Sequence, residues 1–202
     1  MDMKQLYRVV SVIFTMGMLS ACGGNASPIP ETLKKVPAVA SETVASSTAT
    51  NLADATWITT PLTNVSTGET FRMIDYKGKV VLVEMMAVWC TNCLQQQGQV
   101  KQMHQAALGQ NNDKVISLSM DVDPNEQAKQ LKEYRQQQGF EWSYTVAPAS
   151  VAREISNLYG SQFLNPSAVP MLIIDKQGGI HPLPFGVKSV ASLQEALKPY
   201  LQ

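Results

Sequence analysis

The chain has 202 residues, of which 45% are hydrophobic and 16% charged, and its basic and acidic residues balance at a formal net charge of zero. That composition suits a soluble globular domain with one sizeable core. It argues against a nucleic-acid partner, which calls for a clear basic excess or stripe. The three cysteines do not form an even framework: Cys22 stands alone, and Cys90 and Cys93 form a close pair.

Lys4 and Arg8 open the chain with positive charge, and Val9 to Leu19 follows as an apolar run of about a dozen residues, short for a permanent membrane span. Leu19-Ser20-Ala21 then leads into Cys22. This pattern resembles the lipobox of bacterial lipoproteins, which implies a signal peptide over residues 1–21 and a lipidated Cys22. The competing reading is a plain signal peptide with an accidental cysteine near its cleavage site. Several acyl chains, each buried CH₂ contributing roughly 0.8 kcal/mol, would make a stable membrane anchor.

Residues 22–56 follow as an expected tether. From Gly23 to Thr56 there is no aromatic residue, but there are Pro28, Pro30, Pro37 and a Ser/Thr/Ala-rich stretch. Such a segment buries too little apolar surface to offset the entropy of ordering it. Its coil dimensions allow a reach on the order of 30 Å.

Residues 57–202 have the size of a single domain. Trp57-Ile58-Thr59-Thr60 and Phe71-Arg72-Met73-Ile74 read as short strands of a hairpin around the turn-rich 64–68 segment. Lys79 to Ala87 is almost continuously apolar, as a central strand buried on both faces would be. A Gln-rich helix is expected from Cys93 to about Leu108, and a strand over Val115 to Met120. Asp123-Pro124-Asn125-Glu126 has the composition of a helix start, with Asp as N-cap and Glu closing a capping box. Ser150 to Tyr159 places Val151, Ile155 and Leu158 on one helical face before Gly160. Met171 to Ile174 reads as a strand, 175–179 as a turn, Ile180 to Val187 as the antiparallel partner, and Val190 to Leu201 as a closing amphipathic helix. The alternation predicts an α/β fold with a mixed sheet.

The chemistry concentrates at Trp89-Cys90-Thr91-Asn92-Cys93. At the junction of a buried strand and a helix, Cys90 meets free N–H groups and the positive end of the macrodipole, which favour its thiolate. Cys93, one turn on, is placed to attack a mixed disulfide formed at Cys90. Three other readings compete. A structural disulfide would close too small a loop to contribute much entropy. A zinc site lacks ligands, since His104 and His181 are the only histidines; His104 lies about 16 Å along a helix from Cys93, a packing or surface residue. Two unrelated thiols leave the preceding Trp and strand unexplained.

The stretch from Lys77 to Cys93 resembles the active-site strand and helix start of the thioredoxin superfamily, and most of all membrane-anchored thioredoxin-like disulfide reductases of the TlpA/ResA type. A second match lies at Ala168-Val169-Pro170-Met171-Leu172-Ile173-Ile174-Asp175, followed by Gly178. The resemblance implies a central mixed β-sheet flanked by helices, with the hairpin as an N-terminal extension. It implies a cis Pro170 facing the dithiol, at a cost of only about 0.5–1 kcal/mol over trans. The backbone of Val169 and the side chain of Trp89 are the implied substrate contacts. Glu84 stands where thioredoxins carry a buried carboxylate, a proton acceptor for Cys93 if it is buried. The alternation leaves open a strand-edge Glu reaching solvent.

Asn92 replaces the proline that many relatives have before the second cysteine, and Met85-Met86 replaces aromatic residues. Gly186 fits either a close approach at the site or a simple turn.

The expected function is a cell-envelope thiol-disulfide oxidoreductase reducing disulfides of exported client proteins, with a membrane electron donor and no cofactor or metal. The alternative is a copper metallochaperone of the same fold. Its relatives use two cysteines with three residues between them and a distant His, so the Cys-x-x-Cys spacing and the Pro170 context speak against it, and only the ten methionines favour it.

Overall fold

The computed structural model describes residues 55–106 and 114–202. The expected signal peptide, Cys22 and the tether up to residue 54 lie outside the described residues.

The apolar run folds as β3 (Val80–Met86), with all seven residues buried. It pairs in parallel with β4 (Val115–Asp121) and antiparallel with β6 (Met171–Ile174). β4 pairs in parallel with β5 (Ser143–Val146), and β6 antiparallel with β7 (Ile180–Pro182). The mixed sheet therefore has the order β5-β4-β3-β6-β7. A central strand with neighbours on both edges and helices on both faces has no solvent side, hence the unbroken apolar sequence.

Strand alternation sorts the core into two layers. Val81, Val83 and Met85 pack with Leu118, Met120, Leu172 and Ile174 against Val151 and Ile155 of α3 (Ala149–Tyr159). Val80 and Leu82 pack with Met171 and Ile173 on the opposite face. There they meet Val100 and Met103 of α1 (Thr91–Ala106) and Leu193 and Leu197 of α4 (Val190–Leu197). Glu84 shares the parity of Val80 and Leu82, which places it on the α1 side.

The hairpin exists, but displaced: β1 (Leu62–Thr63) pairs antiparallel with β2 (Thr70–Phe71). Trp57-Ile58-Thr59, expected as a strand, is a 3₁₀ turn spanning Thr56–Thr59. Trp57 and Ile58 are both buried in one apolar cluster, and neighbouring residues of a strand would point to opposite faces. Asp123 to Glu126 does not start a helix either. α2 (Ala128–Gln138) begins after Gln127, whose capping box closes with Gln130. The carboxylates of Asp123 and Glu126 are instead bonded to the cysteine motif, as described below.

β5 was not foreseen; its single buried turn of sheet lies in an aromatic stretch that periodicity does not separate from a loop. β7 stops at Pro182 rather than at Val187, because neither Pro182 nor Pro184 has an N–H to donate to a ladder. The last helix ends at Leu197 and tightens to 3₁₀ over Lys198–Tyr200, where Pro199 removes a donor.

Leu172 is fully buried at the centre of β6. Leu172→Ala is expected to cost about 2–5 kcal/mol by leaving a cavity. Urea unfolding should show a lower midpoint at unchanged slope, and an unchanged midpoint would contradict this packing.

Candidate active site at Cys90 and Cys93

β3 ends at Met86, and Ala87 to Trp89 carries the chain over the sheet edge into α1. Cys90 stands immediately before the helix, its carbonyl accepting the Leu94 N–H at 3.0 Å. Cys90 and Cys93 form a disulfide with Cα atoms 5.2 Å apart. Both are almost wholly covered, at 3% and 0% exposure.

The two sulfurs have opposite surroundings. Cys90 Sγ accepts the Cys93 backbone N–H at 3.1 Å, as an anion at a helix N-terminus does. Cys93 Sγ lies 3.2 Å from the Pro166 carbonyl oxygen. A carbonyl repels negative charge and accepts a proton donor, so on reduction this contact favours the Cys93 thiol.

The approach to Cys90 is held from α2's side. The Val88 N–H donates to both Glu126 carboxylate oxygens, at 3.1 and 2.8 Å, and the Trp89 indole donates to Asp123 Oδ2 at 2.6 Å. The Trp89 and Asn125 donors hold Asp123 below the ordinary carboxylate range. Asp121, buried beside Glu126, is displaced upward by burial. Trp89 itself remains 57% exposed, so a pinned aromatic side chain stands beside a covered disulfide.

Glu84 is buried, at 3% exposure, which excludes the strand-edge reading. Burial pushes its carboxyl up to about 8, although Gln97, Ser119 and Lys188 each pull it down. Ser119 Oγ donates to Oε2 at 3.4 Å, while Oε1 has no hydrogen-bond partner among the described residues. Gln97, one turn beyond Cys93, faces this carboxylate without closing a hydrogen bond on it. Its Oε1 accepts the hydroxyls of Tyr134 and Tyr144 at 2.9 and 2.8 Å. This carboxyl is neutral at ordinary pH and accepts a proton on the helix side of β3 only from its ionised form, which becomes populated as pH approaches 8.

Pro170 is not cis: among the described residues every peptide bond is trans. The chain makes its reversal at Val169 instead, with φ 51 and ψ 58, the one non-glycine left-handed residue described. That conformation is unfavourable for a β-branched residue and persists because its surroundings over-determine it. The Val169 N–H donates to Pro166 O at 2.8 Å, its carbonyl accepts Lys188 Nζ at 2.8 Å, and its side chain is buried. The expected free backbone at Val169 is therefore occupied. Gly186 has φ 91 with open space where a Cβ would stand, so the turn rather than a close approach requires glycine.

Three residues were missed. Gln96 is fully buried and brackets Lys188, accepting its N–H at 2.6 Å and donating to its carbonyl at 3.2 Å. Lys188, with its amine lowered to about 8 by burial against the pull of Glu84, donates to Val169 and Gly186. Gln97 organises the tyrosines. The one signal in the sequence was the glutamine run Gln95-Gln96-Gln97, where a purely solvated helix face would carry charges. His104 packs against Trp142 and bonds Ser117, well apart from the disulfide's neighbours. Among the described residues no cluster of His, Cys, Asp or Glu is arranged to hold a metal ion, and no helix is long and apolar enough to cross a membrane.

A mixed five-stranded sheet between helices, with a Cys-x-x-Cys disulfide where the central strand meets a helix, is a thioredoxin-like fold. Among solved structures, the chain is similar to a thiol:disulfide interchange protein of the thioredoxin family from Chlorobium tepidum TLS. The two share 20% identity and a TM-score of 0.54, over 71% of this chain and 93% of that one. A putative protein disulfide isomerase from Bacteroides thetaiotaomicron aligns with 18% identity and a TM-score of 0.57, over 70% and 85% of the two chains. A secreted thiol-disulfide isomerase from Corynebacterium glutamicum aligns with 12% identity and a TM-score of 0.57, over 70% and 83%. No protein-family model matches the chain, and no curated protein does. At these identities the likeness establishes the fold, and function has to be argued from the site.

The raised carboxyl of Glu84 has a consequence for stability. Below its ordinary value of 4.5 it is protonated in both folded and unfolded chains. As pH rises toward 8 the unfolded chain releases this proton while the folded one keeps it, so folding stability falls. Urea midpoints between about pH 5 and pH 8 should fall in the wild type and fall less in Glu84→Gln, Asp121 contributing the remainder with the same sign. Equal slopes in the two proteins would show that Glu84 ionises normally.

Proposed function

We propose that the chain is a thiol-disulfide oxidoreductase of the cell envelope that reduces disulfides in exported proteins through Cys90 and Cys93. The observation that carries this is the unequal setting of the two sulfurs: one beside a helix N–H, the other against a carbonyl oxygen.

In the reduced protein the Cys90 thiolate attacks one sulfur of a client disulfide. An S–S bond forms at Cys90, and the client's other sulfur leaves as a thiolate and takes up a proton. Cys93 then loses its proton, to the ionised fraction of Glu84 that a carboxyl titrating at about 8 supplies or to solvent, and attacks Cys90 Sγ. The Cys90–Cys93 disulfide closes, and the second client thiolate departs and is protonated. Two electrons have passed from protein to client, and the two client thiolates have taken up their protons from solvent. Restoring the dithiol requires a two-electron donor, which we assign to the membrane.

Trp89, exposed and held by Asp123, supplies an apolar surface beside the attacking sulfur. The lipobox at Leu19 to Cys22 and the following segment support a lipid-anchored protein of a bacterial envelope, reaching clients within a tether's length of the membrane. Disulfides form and persist in such oxidising compartments, where an exchange protein has substrates.

Cys90→Ser is expected to abolish insulin reduction, whereas Cys93→Ser should accumulate mixed disulfides with clients, visible on non-reducing gels and lost with dithiothreitol. Insulin reduction that survives in Cys90→Ser would place the nucleophile elsewhere. Cys22→Ser, expressed in a bacterial host, should move the protein from the membrane fraction to the soluble envelope fraction and end fatty-acid labelling. Continued labelling would refute anchoring at Cys22.

A further inference from the structure

The loop facing the dithiol presents five consecutive carbonyls, from Pro166 to Pro170, and every one is engaged. Pro166 accepts the Val169 N–H at 2.8 Å, Ala168 accepts the Gly186 N–H at 2.8 Å, and Pro170 accepts the Met85 N–H at 3.0 Å. Those three are bound by backbone donors, and releasing them would open a turn, the neighbouring loop or the sheet. The other two are bound by side chains: Ser167 by Asn92 Nδ2 at 3.0 Å, and Val169 by Lys188 Nζ at 2.8 Å. A side chain can rotate away without disturbing the fold.

The two exchangeable positions differ in exposure. The Asn92–Ser167 bond is exposed, where water competes for the carbonyl. Val169 is fully buried, so its carbonyl depends on a protein donor and leaving it unpaired is costly. Lys188 is built to let go. Gln96 clamps its backbone from both sides, and Nζ keeps a second acceptor in the Gly186 carbonyl at 2.6 Å.

A client must reach the sulfur of Cys90, a residue only 3% exposed, so the backbone flanking its own cysteine comes against this loop and loses water. Its desolvated N–H groups then need acceptors.

We propose that Lys188 is a specificity-determining positioning residue whose ammonium caps the Val169 carbonyl and must yield it before an extended peptide backbone pairs beside the dithiol. This rests on the oxidoreductase reading above. Lys188 thereby raises the threshold for polypeptide disulfides relative to small disulfides that bring no backbone N–H. In Lys188→Met the buried carbonyl is left without its donor, and a client N–H is the group that satisfies it.

The test compares insulin with bis-hydroxyethyl disulfide, a small disulfide without backbone, using the full chain. The ratio of kcat/KM for insulin to that for the small disulfide should rise about fivefold in Lys188→Met, through a lower KM for insulin, the effect of about one hydrogen bond. Lys188→Gln, too short to reach Val169, should raise the ratio in the same direction. Lys188→Arg, which keeps a charged donor, should restore the wild-type ratio. A ratio that is unchanged or lower in both neutral variants overturns the proposal, as does a rise that Lys188→Arg shares. If the wild type reduces neither disulfide, the oxidoreductase reading itself fails, an outcome separate from a failed ratio.

Discussion

The burial of β3 on both faces is the constraint on which the site depends. A strand with no solvent side can carry a carboxylate only at the expense of its charge, and Glu84 accordingly holds its proton to about 8. The same strand must leave the sheet at its C-terminal end, and the turn that takes it out sets Cys90 directly before α1. Buried carboxyl, sheet edge and helix N-terminus are thus consequences of one packing decision. The proposed redox chemistry draws on all three.

What surrounds that strand end is a set of polar side chains used as fasteners. Glu126 and Asp123 hold Val88 and Trp89 from one side. Gln96 and Lys188 tie α1 to the Val169 loop on the other. Gln97 gathers the hydroxyls of Tyr134 and Tyr144 beneath the helix. Each bond contributes only about a kcal/mol net, but each buried group would cost more if left unpaired, so the arrangement specifies one geometry more strongly than it stabilises it. Rigid backbone around a pair of sulfurs suits exchange chemistry, in which the attacking atom has to meet an S–S bond in line.

β3, α1 and the cysteine pair were legible because their signals are local: an apolar run, a helical period and a two-residue gap. The burial of Glu84 was not, since alternation is silent on a strand whose faces are both covered. Asp123 to Glu126 carried the composition of a helix start, but a carboxylate can cap a helix or bond a distant N–H, and tertiary contacts with Val88 and Trp89 won. Pro170 was expected to be cis by resemblance, whereas the reversal is made by Val169 in a left-handed conformation that no propensity suggests for valine. Lys188 was invisible for a similar reason: its partners, Val169 and Gln96, are 19 and 92 residues away in sequence.

The unequal cysteines are the central claim, and their titration tests it most directly. With the disulfide reduced, thiolate absorbance followed against pH in the wild type and in Cys93→Ser should assign a pKa below the free value of about 8.5 to Cys90. In Cys90→Ser, Cys93 should titrate above Cys90. Two cysteines titrating together near the free value would contradict it, for then neither the helix N–H nor the Pro166 carbonyl distinguishes one sulfur from the other.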